Sequence, residues 1–590
     1  MSGSELIARL RQSNNHFLQQ LADRIEAGAH YHHEYLEADV IIVGSGPIGA
    51  TYARIIASQQ PNASIIMVEA GSQEDPIIGA HHKNAVRYLK NPDAFVPYIN
   101  ASLEPVSIPE TDPYLSTLPS VCWTPPNDEA FAHQWQNPGQ ARNMNLPAAA
   151  VSKTVGGMGA HWTCACPDPD DAEKKNNPID RETFKRLLWS ARNLLKVRTD
   201  QYDDSIRHQV VKDILTSNLG ADKITNTPLA VRRSKRSEEN IYTWTGADTI
   251  LGGVRFTATK DPNEKVKYRL LTEALVTGVS HYDDTVSRDP RNIDNVFAVD
   301  VGSASDISDP SGQRFWFMTA RKAVVVACGA IGTSQVLFNS FRYSVGGSPP
   351  RSLGHYLSEQ TMAFCQVVLK RSIIDDIEKD PKFKNAVSKH HGRHPEDPLP
   401  IPFNDPEPQI YLKYRTENGY IALIDRNAFF TGVRPEIDPR VVVDLRFYGR
   451  NDVQQENCIT LDEYKYDRFG MPRVTFNFVK SDADRERENK MVKDMTDVAS
   501  LLGGFIPGSE PQIMPMGLAL HITGTTRIGN NPDTSVANAQ SRVHGYTNLW
   551  IGGNGCIPDS TACNPTLTSV AIAIHGAEDL IDYLQHGRRS

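Results

Sequence analysis

Apolar positions first gather along this chain at ADVIIVGSG, residues 38–46, an apolar run ending in glycines that reads as a buried strand. IGATYARIIASQQ follows at helical spacing and SIIMVEAG, 64–71, is a second buried run, so the segment predicts a strand, helix, strand unit. A third run, AVVVACGAIGTSQ at 323–335, predicts another strand leading into a helix, as where a parallel sheet returns for a further crossing. Between 420 and 480 the period changes. PRVVVDLRFYG and MPRVTFNFV alternate apolar and polar positions around the turn-rich DEYKYDRFG, the pattern of an antiparallel sheet with one solvated or ligand-facing side. A helix is predicted over 482–502, capped by Ser481, with Val492, Met495, Ala499 and Leu502 on one face.

Three stretches break this order. Leu6, Leu10, Leu18, Leu21 and Ile25 recur at roughly helical spacing and make residues 1–37 a helical arm. Residues 111–153 are rich in Pro, Asn and Trp without periodicity and read as a long loop or an arm suited to an oligomer contact. Residues 373–408, charged and proline-rich, read as a surface excursion; His390, His391 and His394 lie there, but a mobile loop offers no scaffold for a metal, and no metal site is predicted.

Length and charge narrow the classes. At 590 residues the chain needs at least two packed units. Hydrophobic residues at 39% and charged residues at 22% are those of a soluble globular protein, and 62 basic against 70 acidic residues, net −8, make nucleic acid an unfavourable partner. No apolar stretch approaches the roughly 18 residues of a membrane span, and the charged N-terminus lacks the apolar core of a secretory signal, so the expectation is an intracellular protein, cytoplasmic or vesicular. Eight cysteines without C-x-x-C spacing indicate neither a disulfide framework nor zinc.

The candidate chemistry sits in four motifs. Gly44, Gly46 and Gly49 form G-x-G-x-x-G between the first strand and helix, where absent side chains permit a tight turn, close approach to a pyrophosphate and tight helix packing. Glu69, at the end of the second strand, is placed to accept hydrogen bonds from ribose hydroxyls. A nucleotide domain assembled from distant stretches is the habit of flavoproteins of this size, which favours FAD over NAD. TVGGMGAHWTCACP, 154–167, sets Gly156, Gly157 and Gly159 before His161, so that backbone can run close to a flat ligand. GLALHITGTTRIG places His521 after what reads as an apolar strand, and Asn564 and Pro565 open a buried helix whose N-terminus points into the site.

From about residue 38 to 582 these segments, with RNAFFTG at 426–432 and VVVDLRFYGR, resemble in content and order the glucose-methanol-choline (GMC) oxidoreductase family, and within it the fungal pyranose 2-oxidase group. The resemblance implies an α/β fold of two domains like that of p-hydroxybenzoate hydroxylase: a discontinuous Rossmann-type FAD-binding domain, 38–345 and 512–590, and a substrate domain on a mainly antiparallel sheet, 346–511. It implies FAD held by Gly44, Gly46, Gly49, Glu69, Gly157, His161, Trp162, Thr163, Pro565 and Thr566, with a covalent bond to His161 and Thr163 beside flavin N5. It implies His521 as catalytic base with Asn564 on the same substrate oxygen, and a sugar bound by Asn427, Phe429, Arg446, His521 and Asn564. Dioxygen as electron acceptor, hydrogen peroxide as product and a homotetramer follow from the same likeness.

Some positions depart from that pattern. Gly159 and Ala160 stand where the sugar oxidases carry Ser and Thr, Leu423 and Asn427 where they carry Gln and Asp, and Phe430 and Thr431 where they carry Ser and Tyr. Glucose is then the leading substrate by family, with its binding weakened or another sugar preferred. Two other readings stand beside this one: a dehydrogenase of another sugar, glycoside or alcohol that passes electrons to quinones, and a flavin-binding scaffold without catalysis.

Overall fold

The computed structural model describes residues 32–85, 103–108, 137, 139–234, 241–280, 292–301, 314–341, 349–426, 436–466 and 471–587, with a few positions before residue 27. Strand β1 (His32–Val43) carries Val40 to Val43, buried on both faces as their apolar run predicts. Helix α1 (Pro47–Gln59) returns the chain to β2 (Ile65–Val68), parallel to β1 with Ile65 opposite Val40. The sheet extends past β2 to β3 (Tyr268–Leu271), and on the other side of β1 to β4 (Arg314–Val326), both in parallel pairing. Asn295–Asp300 and Ala274–Ser280 continue it antiparallel beyond β4, and Leu549–Ile551 joins the end of β4 in parallel. Helix α2 (Gly329–Phe341) follows β4.

β1 starts at His32, inside the segment expected to be a helical arm. Its first half has no apolar run. Instead Leu36 and Ala38 are buried while Tyr35 and Glu37 are exposed, the alternation of a strand with one face in water, and a register shift between Ala38 and Val40 separates this half from the buried one.

The second sheet is antiparallel throughout. Its centre is β5 (Thr361–Leu369), β7 (Val442–Gly449) and β6 (Tyr420–Asp425), in that order; Ile410–Leu412 and Ile224–Asn226 extend one side, and Gly503–Phe505 and Gln512–Ile513 pair with β5 on the other. On one face Val443, Leu445 and Phe447 pack with Met491, Met495, Val498 and Leu502 of helix α3 (Asp482–Leu502), capped by Ser481 as predicted. The other face turns Arg446 and Tyr448 toward the first sheet's side of the molecule. MPRVTFNFV does not join this sheet: Pro472–Asn477 forms a separate hairpin with Cys458–Tyr466, so DEYKYDRFG begins as strand rather than turn.

The supposed surface loop at 373–408 contains two helices, Arg371–Lys379 and Lys384–Arg393, which bury Ile373, Ile374, Ile377 and Val387 against the second sheet's core. His390 is buried there and bonded to Asp397 at 2.8 Å, which is a packed position and not a mobile one. Within 111–153, residues 137 and 139–153 are described; Ala150–Ser152 pairs with Leu103–Pro105. The last described element is helix α4 (Thr566–His586), whose Leu567 and Val570 to Ile574 are buried. No helix among the described residues is long and apolar enough to cross a membrane.

Candidate active site

The C-terminal ends of β1 and β4 open into a cavity reached by three helix N-termini, those of α1, α2 and α4. Gly44 sits at φ +100°, and a Cβ there would lie 2.4 Å from the carbonyl oxygen of Ala327; one on Gly49 would lie 2.0 Å from that of Gly44. Both positions therefore need glycine, one for the turn between β1 and α1, the other for the helix to press against that turn. Gly46 caps α1, Pro47 occupies the first turn, and the unpaired N–H groups of that turn face the cavity.

Glu69 lines the same cavity, with its carboxylate fixed by protein donors: Oε2 accepts from Ser45 Oγ at 2.6 Å and Ser45 N at 3.1 Å, Oε1 from Gly71 N at 2.9 Å. Burial raises its pKa, against the pull of these donors. A carboxylate has about four acceptor sites, so ribose hydroxyls can share it. Gly157, at φ +52°, carries the 154–160 segment across the start of α1, close enough that its Cβ would be 3.2 Å from Gly46 Cα. A Cβ on Gly159 would lie 2.6 Å from Pro47 Cγ, which gives a packing reason for glycine at this position. Gly329 presents open space, with nothing within 4 Å of where a Cβ would stand. A cradle of glycine backbone, three positive helix ends and a buried acidic group fits a dinucleotide with a flat ring system.

His161 is 1% exposed beside this cradle. Its Nε2 lies 3.0 Å from Ser152 Oγ, and its ring stacks on His82 at 6.3 Å between centroids. Burial, and then the neighbouring His82, push its pKa down to about 3, so the ring is neutral. Trp162 is pinned on both sides, its indole N–H donating to the Thr245 carbonyl at 2.7 Å and its own carbonyl accepting from His81 Nε2 at 2.9 Å. Thr163, half-buried, follows directly.

His521 and Asn564 come together. His521 follows a turn, not the predicted apolar strand, with Leu520 at φ +58°. Asn564 Nδ2 lies 3.4 Å from His521 Nε2, and Asn564 Oδ1 is buried without a hydrogen-bond partner among the described residues. His521 Nδ1 lies 2.7 Å from Gln360 Oε1, and its backbone N–H donates to the Glu359 carboxyl group at 3.1 and 3.3 Å. Burial, reinforced by the charge of Arg446, pushes the imidazole pKa down to about 3. Pro565 ends the approach and Thr566 begins α4.

Arg446 is 3% exposed, forms an ion pair with Asp425 and donates to Tyr448 Oη at 3.1 Å; the Tyr448 ring is 5.7 Å from that of His521. Burial opposes the charge on Arg446, but Asp425 and Tyr448 hold its pKa above the usual arginine value. Leu423, 1% exposed, is its cross-strand partner. Asn427 and Phe429, with Phe430 and Thr431, lie outside the described residues. Sequence reasoning missed Glu359, Gln360, Asp425 and Tyr448. The first two stand as polar residues ahead of an apolar strand, a signal indistinguishable from an exposed turn.

Relatives of this architecture are known. The GMC oxidoreductase family profile matches residues 453–573. Pyranose 2-oxidase of Tricholoma matsutake is 47% identical over 562 residues, 92% of this chain and 94% of that one. The enzyme of the same name from Lyophyllum shimeji is 35% identical, covering 93% of this chain and 92% of its own. Among solved structures formate oxidase superposes with a TM-score of 0.60 at 15% identity, over 94% of this chain and 99% of that chain, which speaks for the fold. The chain belongs to the GMC oxidoreductases, a family of FAD flavoenzymes.

Proposed function

We propose that this chain is an FAD-dependent sugar oxidase that removes hydride from a ring C–OH of an aldopyranose, glucose being the first candidate, and delivers the electrons to dioxygen. The observation that carries the reading is the His521–Asn564 pair. A neutral imidazole with an unprotonated Nε2 stands opposite an amide donor, the arrangement needed to receive a hydroxyl proton while the same oxygen is held. An alcohol releases hydride only as its hydroxyl proton leaves, so His521 takes the proton and Asn564 holds the oxygen as it becomes a carbonyl. Bound in the cavity, FAD supplies the hydride acceptor and the passage of the electron pair to dioxygen, which leaves as hydrogen peroxide.

Within this reading Gly44, Gly46, Gly49 and Glu69 hold the dinucleotide, and Gly157, Trp162, Thr163, Pro565 and Thr566 surround the flavin. His161 is its covalent anchor, kept neutral and therefore nucleophilic by burial. Arg446, Asn427 and Phe429 bind the sugar. Leucine at 423 removes one polar partner, and an unmet buried hydrogen bond costs about 1–3 kcal/mol, so glucose binds more weakly than in an enzyme that keeps it. The names of the relatives, pyranose 2-oxidases, favour dioxygen over quinones, and the same kinship favours a homotetramer.

The test is acid precipitation of the purified protein followed by anaerobic addition of glucose to a native sample. Yellow colour retained in the pellet and absorbance bleached by glucose support a histidyl-linked sugar oxidase. Flavin washed into the supernatant removes the covalent anchor. Absence of bleaching by glucose and by a panel of other pyranoses removes the sugar.

A further inference from the structure

One side chain touches both His521 and the loop that leads into Asn564. Gln360 is 3% exposed, and its amide nitrogen donates two hydrogen bonds, to the carbonyls of Thr561 and Cys563, each 2.8 Å. Those carbonyls can only accept, so they fix which end of the amide is which. The remaining end, Oε1, faces His521 Nδ1 at 2.7 Å. An amide oxygen can only accept as well, so Nδ1 must carry the hydrogen. A neutral imidazole has one N–H, which leaves Nε2 bare, and Nε2 is the nitrogen facing Asn564.

We propose that Gln360 is the positioning residue of this site: it sets the tautomer of His521 and holds that histidine in register with the 561–563 loop that presents Asn564. The inference rests on the reading of His521 as base. Glu359 supports the same arrangement, because its carboxyl group accepts the backbone N–H of Gln360 at 2.7 Å and that of His521 at 3.1 Å, so the two residues are braced through backbone and side chain together. The selection is chemical and not only steric. With the amide oxygen replaced by an apolar group, both tautomers become available, and the one with hydrogen on Nε2 cannot take a proton from an alcohol.

The experiment follows anaerobic bleaching of the flavin by glucose, over a range of glucose concentrations and of pH, in the full chain with FAD bound and in its Gln360→Leu, Gln360→Glu and His521→Ala variants. Gln360→Leu is expected to lower the limiting bleaching rate 10- to 100-fold while the half-saturating glucose concentration changes less than 3-fold. Gln360→Glu keeps an acceptor opposite Nδ1 but adds negative charge, which favours the imidazolium; its bleaching rate is expected to fall at a pH at least one unit higher than in the parent. Should Gln360→Leu fail to fold, the pH profile of Gln360→Glu decides. A Gln360→Glu profile superimposed on the parent's, with His521→Ala inactive, overturns the positioning role and leaves the base in place. Parent-like bleaching by His521→Ala overturns both.

Discussion

Glu359 shows at the scale of one residue how burial creates a titration that exposure would not. It is 1% exposed, and burial raises its pKa to about 8 from 4.5, against two backbone donors that favour the anion. The sign follows from linkage. Below pH 4.5 folded and unfolded chains both hold the proton; between 4.5 and 8 the unfolded chain loses it and the folded chain keeps it, so stability falls as pH rises through that window. Glu359→Gln retains an acceptor for the backbone and removes the titration. Its melting temperature relative to the parent is expected to improve steadily from pH 5 to pH 8, by the equivalent of about 2–4 kcal/mol; a pH-independent difference would show that the carboxyl is ionised in the folded protein. The same residue marks the limit of what sequence discloses. His521 and Asn564 were legible because their motifs are local, whereas the meaning of Glu359 and Gln360 depends on contacts with residues more than 160 positions away.

At the scale of elements, the cofactor cradle was legible because each of its parts is a local device: a buried run, a glycine turn, a helix start. α3 was legible for the same reason, its cap and apolar stripe lying in one continuous segment. What escaped were elements whose signal is carried by a minority of positions. Ile373, Ile374 and Ile377 make a narrow stripe on a strongly charged helix, and composition masked it. The first half of β1 hides its alternation behind His and Glu. The glycine at the start of α2 offers a test of the cradle itself. Gly329 at φ +75° and Gly508 at φ +85° both have nothing within 4 Å of a Cβ, but Gly329 lines the cavity and Gly508 faces water. Alanine at either position costs about 1–2 kcal/mol for the left-handed backbone. Only Gly329→Ala should also lower the ratio of flavin to protein absorbance in the purified sample, because its methyl would stand in the cavity proposed to hold the dinucleotide. Equal flavin content in the two variants would place the cofactor elsewhere.

At the scale of the whole molecule, the chain is shared between the two sheets rather than divided once. It builds β1 and β2, crosses to give Ile224–Asn226 to the second sheet, returns for β3 and β4, crosses again for β5 through Gln512–Ile513, and ends at Leu549–Ile551 and α4 in the first. Asp405 ties two of these passages. It is buried and accepts from Ser205 Oγ at 3.1 Å, from the backbone N–H groups of Ile206 at 2.9 Å and Arg207 at 3.1 Å, and from Arg207 Nε at 3.3 Å, so the start of helix Ile206–Leu219 is closed by a residue 200 positions later. Asp405→Ala leaves a buried guanidinium without its carboxylate and a helix end without its acceptor, a loss of about 3–5 kcal/mol. If the interleaving makes the molecule one cooperative unit, exposure of the flavin followed by the rise of its fluorescence and loss of helix followed by circular dichroism coincide in the parent at a fixed scan rate, and Asp405→Ala moves both down together by several degrees. A variant that loses helical signal first while the flavin fluorescence stays quenched would mean that the second sheet unfolds by itself, and that the crossings join two independently stable bodies.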